Sequence, residues 1–308
     1  MTIAMVFPGQ GSQSQGMQAD LAERYDVVAE VYAAASDVLG YDLWGLVQQG
    51  PAERLGETTV TQPAMLAAGY AAWRVWKTVN GEMPTQFAGH SLGEYTALTA
   101  AGAVSFADAM RVVKRRAELM QDAVPVGVGA MAAILGLDDS VVASVCEQAA
   151  AGEVAEAVNF NAPGQVVIAG HKTAIERAID LAKEAGARRA LPLPVSVPAH
   201  SQLMRPAGEA LTAALAEANF RIPDLTVISA SDAVPYGDGD DIRQRLSRQV
   251  YSPVQWVSTV KALVAGGAGT VVEAGPGKVL AGLVRRIDKG TPVAAIDSIA
   301  GLEKALGE

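Results

Sequence analysis

The sequence predicts an α/β protein: a mostly parallel sheet covered by helices on both faces, with a small antiparallel unit inserted into it. Three observations carry this. Short apolar runs alternate with helical patterns along most of the 308 residues. The stretch 126–194 breaks that alternation with a β-α-β-β-α-β order. Glycine turns follow three of the apolar runs: PGQG at 8–11, GHSLG at 89–93 and GPGK at 275–278.

Residues 3–7 (IAMVF) form a continuous apolar run, the pattern of a strand buried on both faces, and end in the loop PGQGSQ. Helical periodicity follows at 17–39 and 62–79, the second closing at Asn80-Gly81. Residues 85–89 read as a strand mainly because a glycine turn and a helix, 92–102, come next; a further helix spans 106–122. In the insert, GAMAAILGL (129–137) reads as a strand and 138–150 as a helix. VAEAVNF (154–160) and QVVIAG (165–170) are strands, 172–185 is a helix and RRALPLPV (188–195) a strand, the ferredoxin-like order. Beyond it come a helix near 201–218, a strand at 226–230, helices near 240–265, a strand at 270–275, a helix near 278–287 and a strand at 292–296. The domain division is therefore 1–125 with 195–308, and 126–194. GPGK lacks the leading glycine and the Ser/Thr of a P-loop, so it is not read as a nucleotide site.

Bulk properties narrow the function. Half the residues are hydrophobic and 19% are charged, as in a compact enzyme. The net charge of −9 and the absence of a basic, aromatic-interleaved stripe argue against nucleic-acid binding. A single cysteine, Cys146, excludes an intrachain disulfide and a cysteine-rich metal site. The N-terminus lacks a secretory pattern and no run has the length to span a bilayer, so a soluble cytoplasmic protein is expected; a monomer with no metal site is the accompanying expectation.

Gly89-His90-Ser91-Leu92-Gly93 fits G-x-S-x-G, a tight turn presenting a nucleophilic serine at a helix N-terminus. Ser91-Leu92-Gly93-Glu94 equally fits the capping box S-x-x-E. A nucleophile needs a base, and the chain has three histidines. His90 lies inside the turn and reads as structural. His171 starts a helix in the insert and reads as surface or capping. His200 ends a strand just before a helix, where open α/β sheets place functional groups, and is the candidate base; a structural role is the alternative.

On a wheel of about 100° per residue, helix 106–122 gathers Ala109, Met110, Val113, Ala117 and Met120 on one side. Arg111, Lys114, Arg115 and Glu118 gather on the other, and Arg116 falls among the apolar residues. A buried guanidinium needs an anion. An internal ion pair, snorkelling to the rim, or a substrate carboxylate gripped through two parallel bonds would each supply what it needs.

FPGQGSQ, GHSLGEY, RRAELMQDAVPVGVGAMAAI, NFNAPGQVVIAG, SVPAHS and QVYSPVQW, in this order from about residue 3 to 297, resemble the malonyl-CoA:acyl-carrier-protein transacylases of bacterial fatty-acid synthesis. The resemblance favours the nucleophile over the simple cap. It implies an α/β-hydrolase-like domain with a ferredoxin-like subdomain, Ser91 as nucleophile and His200 as base. It further implies that Arg116 binds the malonyl carboxylate and that the backbone N–H groups of Gln10 and Leu92 form the oxyanion hole. The Gln249 backbone carbonyl would orient the histidine. It implies as well that no cofactor is held permanently, that malonyl-CoA is the substrate and that an acyl carrier protein brings the phosphopantetheine thiol. That partner is expected to be acidic, so Arg285, Arg286 and Lys289, or Arg111, Lys114 and Arg115, are candidate docking patches, with ordinary solvated surface as the alternative. Ala199 stands where the family often has serine. A malonyltransferase serving another carrier and a serine thioesterase or esterase share much of this pattern.

Overall fold

A computed structural model describes residues 2–195 and 197–307. Ser196, inside the SVPAHS motif, lies outside the described residues with Met1 and Glu308. The chain is mixed α/β. A five-stranded parallel sheet contains β1 (Ile3–Phe7), β2 (Gln86–Gly89), β7 (Thr226–Ile228), β8 (Thr270–Ala274) and β9 (Val293–Ile296), in the order β7-β2-β1-β8-β9. A separate antiparallel sheet contains β3 (Gly129–Leu135), β4 (Ala155–Ala162), β5 (Gln165–His171) and β6 (Arg189–Pro192), in the order β4-β5-β3-β6.

The apolar run of β1 is buried on both faces. Ile3, Met5 and Phe7 enter one core with the helices of the first half, and Ala4 and Val6 enter another with Trp256, Val260 and Leu280. Two-sided burial is why such a strand shows no alternation. The insert packs Ile134, Val166 and Ile168 against Val142 and Ile175 of its two helices. Its other face carries Met131, Val158 and Val167. Backbone hydrogen bonds from Phe160 N to Val254 O (2.9 Å) and from Val254 N to Val158 O (2.8 Å) tie β4 to the loop after Gln249.

Several helices differ from the sequence reading for local reasons. The expected 17–39 helix breaks at Tyr25, which is extended, into Ala19–Arg24 and Asp26–Leu39. The expected 62–79 helix starts earlier, at Thr58, and carries Pro63 inside it. Near 201–218 a 3₁₀ turn, Gln202–Met204, precedes the helix Arg205–Glu217. The helices expected near 240–265 are, in agreement with that plural reading, Gly239–Gln249 and Trp256–Ala265, separated by a segment holding Pro253. Helices Leu43–Gln49, Ala52–Leu55 and Ile299–Leu306 have no counterpart in the sequence reading. Two of them carry a legible start: Asp42 accepts from Gly45 N and Ser298 from Gly301 N. Among the described residues, no helix is long and apolar enough to cross a membrane.

Candidate active site

β1 and β2 are neighbours, with Phe7 opposite Gly89, so the loops leaving their C-terminal ends meet. The chain runs from β1 to β2 and β7 on one side and returns to β8 and β9 on the other, the kind of reversal at which open sheets form a crevice. The loop after β1 presses on the turn after β2: a Cβ added to Gly9 would lie 2.5 Å from His90 O. The GPGK turn after β8 closes the other side, since a Cβ on Gly275 would meet Pro8 Cγ at 2.9 Å. Its role is to pack against the PGQG loop.

Ser91 occupies the left-handed region at φ 52°, a conformation that strains a non-glycine residue. The turn admits no side chain at either flank. A Cβ on Gly89 would lie 1.9 Å from the Gly93 carbonyl carbon, and one on Gly93 would lie 2.0 Å from Phe7 O. Gly89→Ala is therefore expected to give little soluble protein, or a melting temperature many degrees lower. A Tm equal to that of the unsubstituted chain would contradict this close approach. The capping reading fails on geometry. Helix Gly93–Ala100 has Leu92 at its N-cap and no side-chain cap bond. Ser91 Oγ instead lies 2.7 Å from His200 Nε2.

The tautomer of His200 follows from its partners. Nδ1 lies 2.9 Å from Gln249 O and 3.2 Å from Ser252 O, both acceptors, so Nδ1 carries the hydrogen. Nε2 is then free to accept the Ser91 hydroxyl. Burial, followed by the Arg116 charge, pushes the His200 pKa down to about 3, against the opposing pull of its two carbonyl bonds. The resting ring is neutral. The other histidines are engaged elsewhere. His90 Nε2 donates to Asn161 Oδ1 at 2.8 Å, and its ring lies beside Trp256. His171 does not cap its helix with its side chain; its Nδ1 accepts from Val154 N at 2.9 Å.

Arg116 is 1% exposed, and among the described residues it has no carboxylate within ion-pair distance, so the internal salt bridge is absent and snorkelling does not occur. Its Nη1 donates to Gln62 Oε1 (2.6 Å) and its Nη2 to Gln249 Oε1 (3.0 Å), both neutral. Nε has no partner, and Nη2 stands 3.4 Å from Ser91 Oγ. Burial draws the guanidinium pKa down while Tyr95 and Glu94 oppose that fall, but an arginine keeps its proton in a protein. The site thus holds a fixed positive charge without a matching anion in direct contact. Gln249 acts twice here, its backbone oxygen on His200 and its side chain on Arg116 and on Ser91 O.

A cavity of about 950 Å³ joins these groups, lined by Gln10, Ser91, Leu92, Arg116 and His200 and walled by Met131 and Asn159 of the antiparallel sheet. Among the described residues the amides of Gln10 and Leu92 donate to no protein acceptor, and both line the cavity. Neither Arg285, Arg286 and Lys289 nor Arg111, Lys114 and Arg115 line it. Arg111 and Arg115 pair with Asp108 and Glu118 on their own helix, and Arg286 bonds Gln165 and the Pro163 carbonyl. No cluster of three or more His, Cys, Asp or Glu arranged to hold a metal occurs among the described residues. Sequence reasoning missed Gln62 and the buried Glu94, whose carboxylate reaches Gln249 rather than its own helix start. Gln249 entered the sequence reading only through the family resemblance, and only as a backbone carbonyl.

A serine on a strained turn, a neutral imidazole beside it and a converging guanidinium make up a candidate site for serine acyl transfer, and the chain belongs to the acyl transferase domain family, which matches residues 4–304. It is 54% identical over 303 residues to the malonyl CoA-acyl carrier protein transacylase of Salmonella typhimurium, covering 98% of each chain. An acyl carrier protein S-malonyltransferase from Vibrio cholerae O1 superposes with a TM-score of 0.96 at 54% identity, covering 99% of each chain. A malonyl-transacylase solved with its type II PKS acyl-carrier protein superposes with a TM-score of 0.98 at 51% identity, covering 100% of this chain and 99% of that one.

Proposed function

We propose that this protein transfers the malonyl group of malonyl-CoA to the phosphopantetheine thiol of an acyl carrier protein, through a malonyl ester on Ser91, and so supplies fatty-acid synthesis. The observation that carries the reading is the buried Arg116 charge, with only neutral direct partners, 3.4 Å from the nucleophilic oxygen. It gives a three-carbon diacid a grip for its free carboxylate while its thioester carbonyl faces Ser91.

His200 Nε2 takes the Ser91 proton as Oγ attacks the thioester carbon. The Gln10 and Leu92 amides hold the resulting oxyanion. The C–S bond breaks and the proton passes from His200 to the departing CoA sulfur. In the second half, His200 takes the proton of the carrier thiol, whose sulfur attacks the malonyl ester. The ester bond breaks, and the proton returns to Ser91 Oγ. A base held near pKa 3 is weak. A carboxylate seated on Arg116 offsets the second-largest cause of that depression, so the correct substrate strengthens its own base.

In this reading 1–125 and 195–308 form an α/β-hydrolase-like domain and 126–194 a ferredoxin-like subdomain. The all-parallel sheet bearing the serine turn and the β4-β5-β3-β6 order support it. Ser91, His200 and Arg116 come from one chain, so a monomer suffices. The setting is the cytoplasm, in keeping with a lone buried thiol, Cys146.

The pH profile tests the role of His200. The neutral ring is the active form, and a pKa pushed below its usual ~6.5 defers inactivating protonation to more acid solution. kcat/KM for malonyl-CoA is expected to stay level from about pH 8 to pH 5, because that parameter reports the free enzyme. An acid limb with its midpoint between about 6 and 7 would contradict the neutral, buried base.

A further inference from the structure

We propose that Glu94 is a positioning residue for acyl selectivity: its acceptor-only carboxylate fixes the direction of the Gln249 amide and thereby aims Arg116. This rests on the reading of Arg116 as the carboxylate binder. Glu94 is fully buried, one turn beyond the nucleophile, and touches neither the cavity nor a cation directly. Its Oε1 accepts from Ala230 N (2.9 Å) and Tyr236 OH (2.7 Å), and its Oε2 accepts from Gln249 Nε2 (2.5 Å). Gln249 Nε2 also donates to Ser91 O at 2.8 Å, leaving Oε1 for Arg116 Nη2 at 3.0 Å.

The chain of bonds runs Ala230 N–H, Glu94, Gln249, Arg116. Both ends are donors that cannot become acceptors. An amide passes polarity along, since it accepts at one end and donates at the other. Two amides in series between two donors must therefore place two like groups face to face somewhere. One side chain of the pair must accept at both ends, and only a carboxylate does. Burial raises the Glu94 pKa, while the bonds from Gln249, Tyr236 and Ala230 oppose the rise. Its negative charge also favours the Arg116 cation through the glutamine, without occupying the face that a substrate carboxylate needs.

Glu94→Gln keeps size and packing but breaks this polarity. The substituted amide must keep its oxygen on Ala230 N–H, so its NH₂ meets the NH₂ of Gln249. Relief requires Gln249 to flip, which turns its NH₂ onto Arg116 and its oxygen onto Ser91 O. Arg116 then loses an acceptor and swings off its aim. The test compares the rates of Ser91 acylation by malonyl-CoA and by acetyl-CoA, which has no carboxylate. In Glu94→Gln the malonyl rate constant is expected to fall roughly tenfold or more, the factor that one hydrogen bond to a charged group carries. The acetyl rate is expected to stay within about twofold. Equal loss on both substrates, or none on either, overturns the proposal.

Arg116→Ala is run beside it. Retained malonyl preference there sinks the Arg116 reading; lost preference there, with preference retained in Glu94→Gln, sinks the Glu94 role alone. If Glu94→Gln does not fold, Glu94→Asp keeps a group that accepts at both ends but draws it back from Gln249 Nε2. It is expected to lower the malonyl rate constant while the acetyl rate stays within about twofold. Equal loss on both substrates, or none on either, overturns the proposal.

Discussion

Ser91→Ala is expected to abolish acyl transfer, lowering kcat by at least about 10⁴-fold, the scale on which the loss of an activated serine is felt. The reason is local. The turn at Gly89–Gly93 places one side-chain oxygen at the junction of His200 Nε2 and Arg116 Nη2, and alanine leaves nothing there to carry the acyl group. The fold should survive, because Ser91 caps no helix and its left-handed backbone is held by its glycine neighbours rather than by its hydroxyl. A near-native Tm with no transfer is the expected pair of results. Transfer reduced only a few-fold would mean that the acyl group passes directly from CoA to the carrier.

Arg116→Ala is expected to lower kcat/KM for malonyl-CoA by roughly 10²- to 10³-fold, the scale of breaking one buried charge pair. The guanidinium is 1% exposed and its direct partners are neutral, so seating a malonyl carboxylate completes a pair that the resting protein lacks. An acetyl group offers no carboxylate and leaves the cation stranded. Removing the cation therefore takes away a benefit from one substrate and a penalty from the other, and the acetyl rate should hold or rise. Rates for both thioesters, measured on the same preparation, check this; an unchanged malonyl-to-acetyl ratio would refute it.

The legible parts of this molecule are those fixed by local sterics or by scarcity. Ser91 was visible because a cap does not need two glycines, and a Cβ at either one would collide with backbone. His200 stood out because only three histidines exist and the other two sat in unpromising places. Helical period alone placed Arg116 on the apolar face but left snorkelling to the rim open, which its 1% exposure closes. What stayed hidden is long-range. Gln62 and Gln249 reach Arg116 across 54 and 133 residues of chain, and no local pattern reports such a pairing. Glu94 was disguised by its spacing from Ser91, which imitates a capping box, whereas its partners Ala230, Tyr236 and Gln249 come from the second half of the sequence. The parallel and antiparallel sheets were readable from element order. The break at Tyr25 was not, because a single extended residue between two helical segments leaves the apolar periodicity intact.

The covalent intermediate is the centre of this account, and intact-mass spectrometry measures it most directly. Mixing the protein with malonyl-CoA is expected to add one malonyl group, located on the peptide containing Ser91, and adding holo acyl carrier protein should return the protein to its original mass while the carrier gains the group. A protein whose mass never changes while the carrier becomes malonylated, or an adduct on any residue other than Ser91, would contradict it.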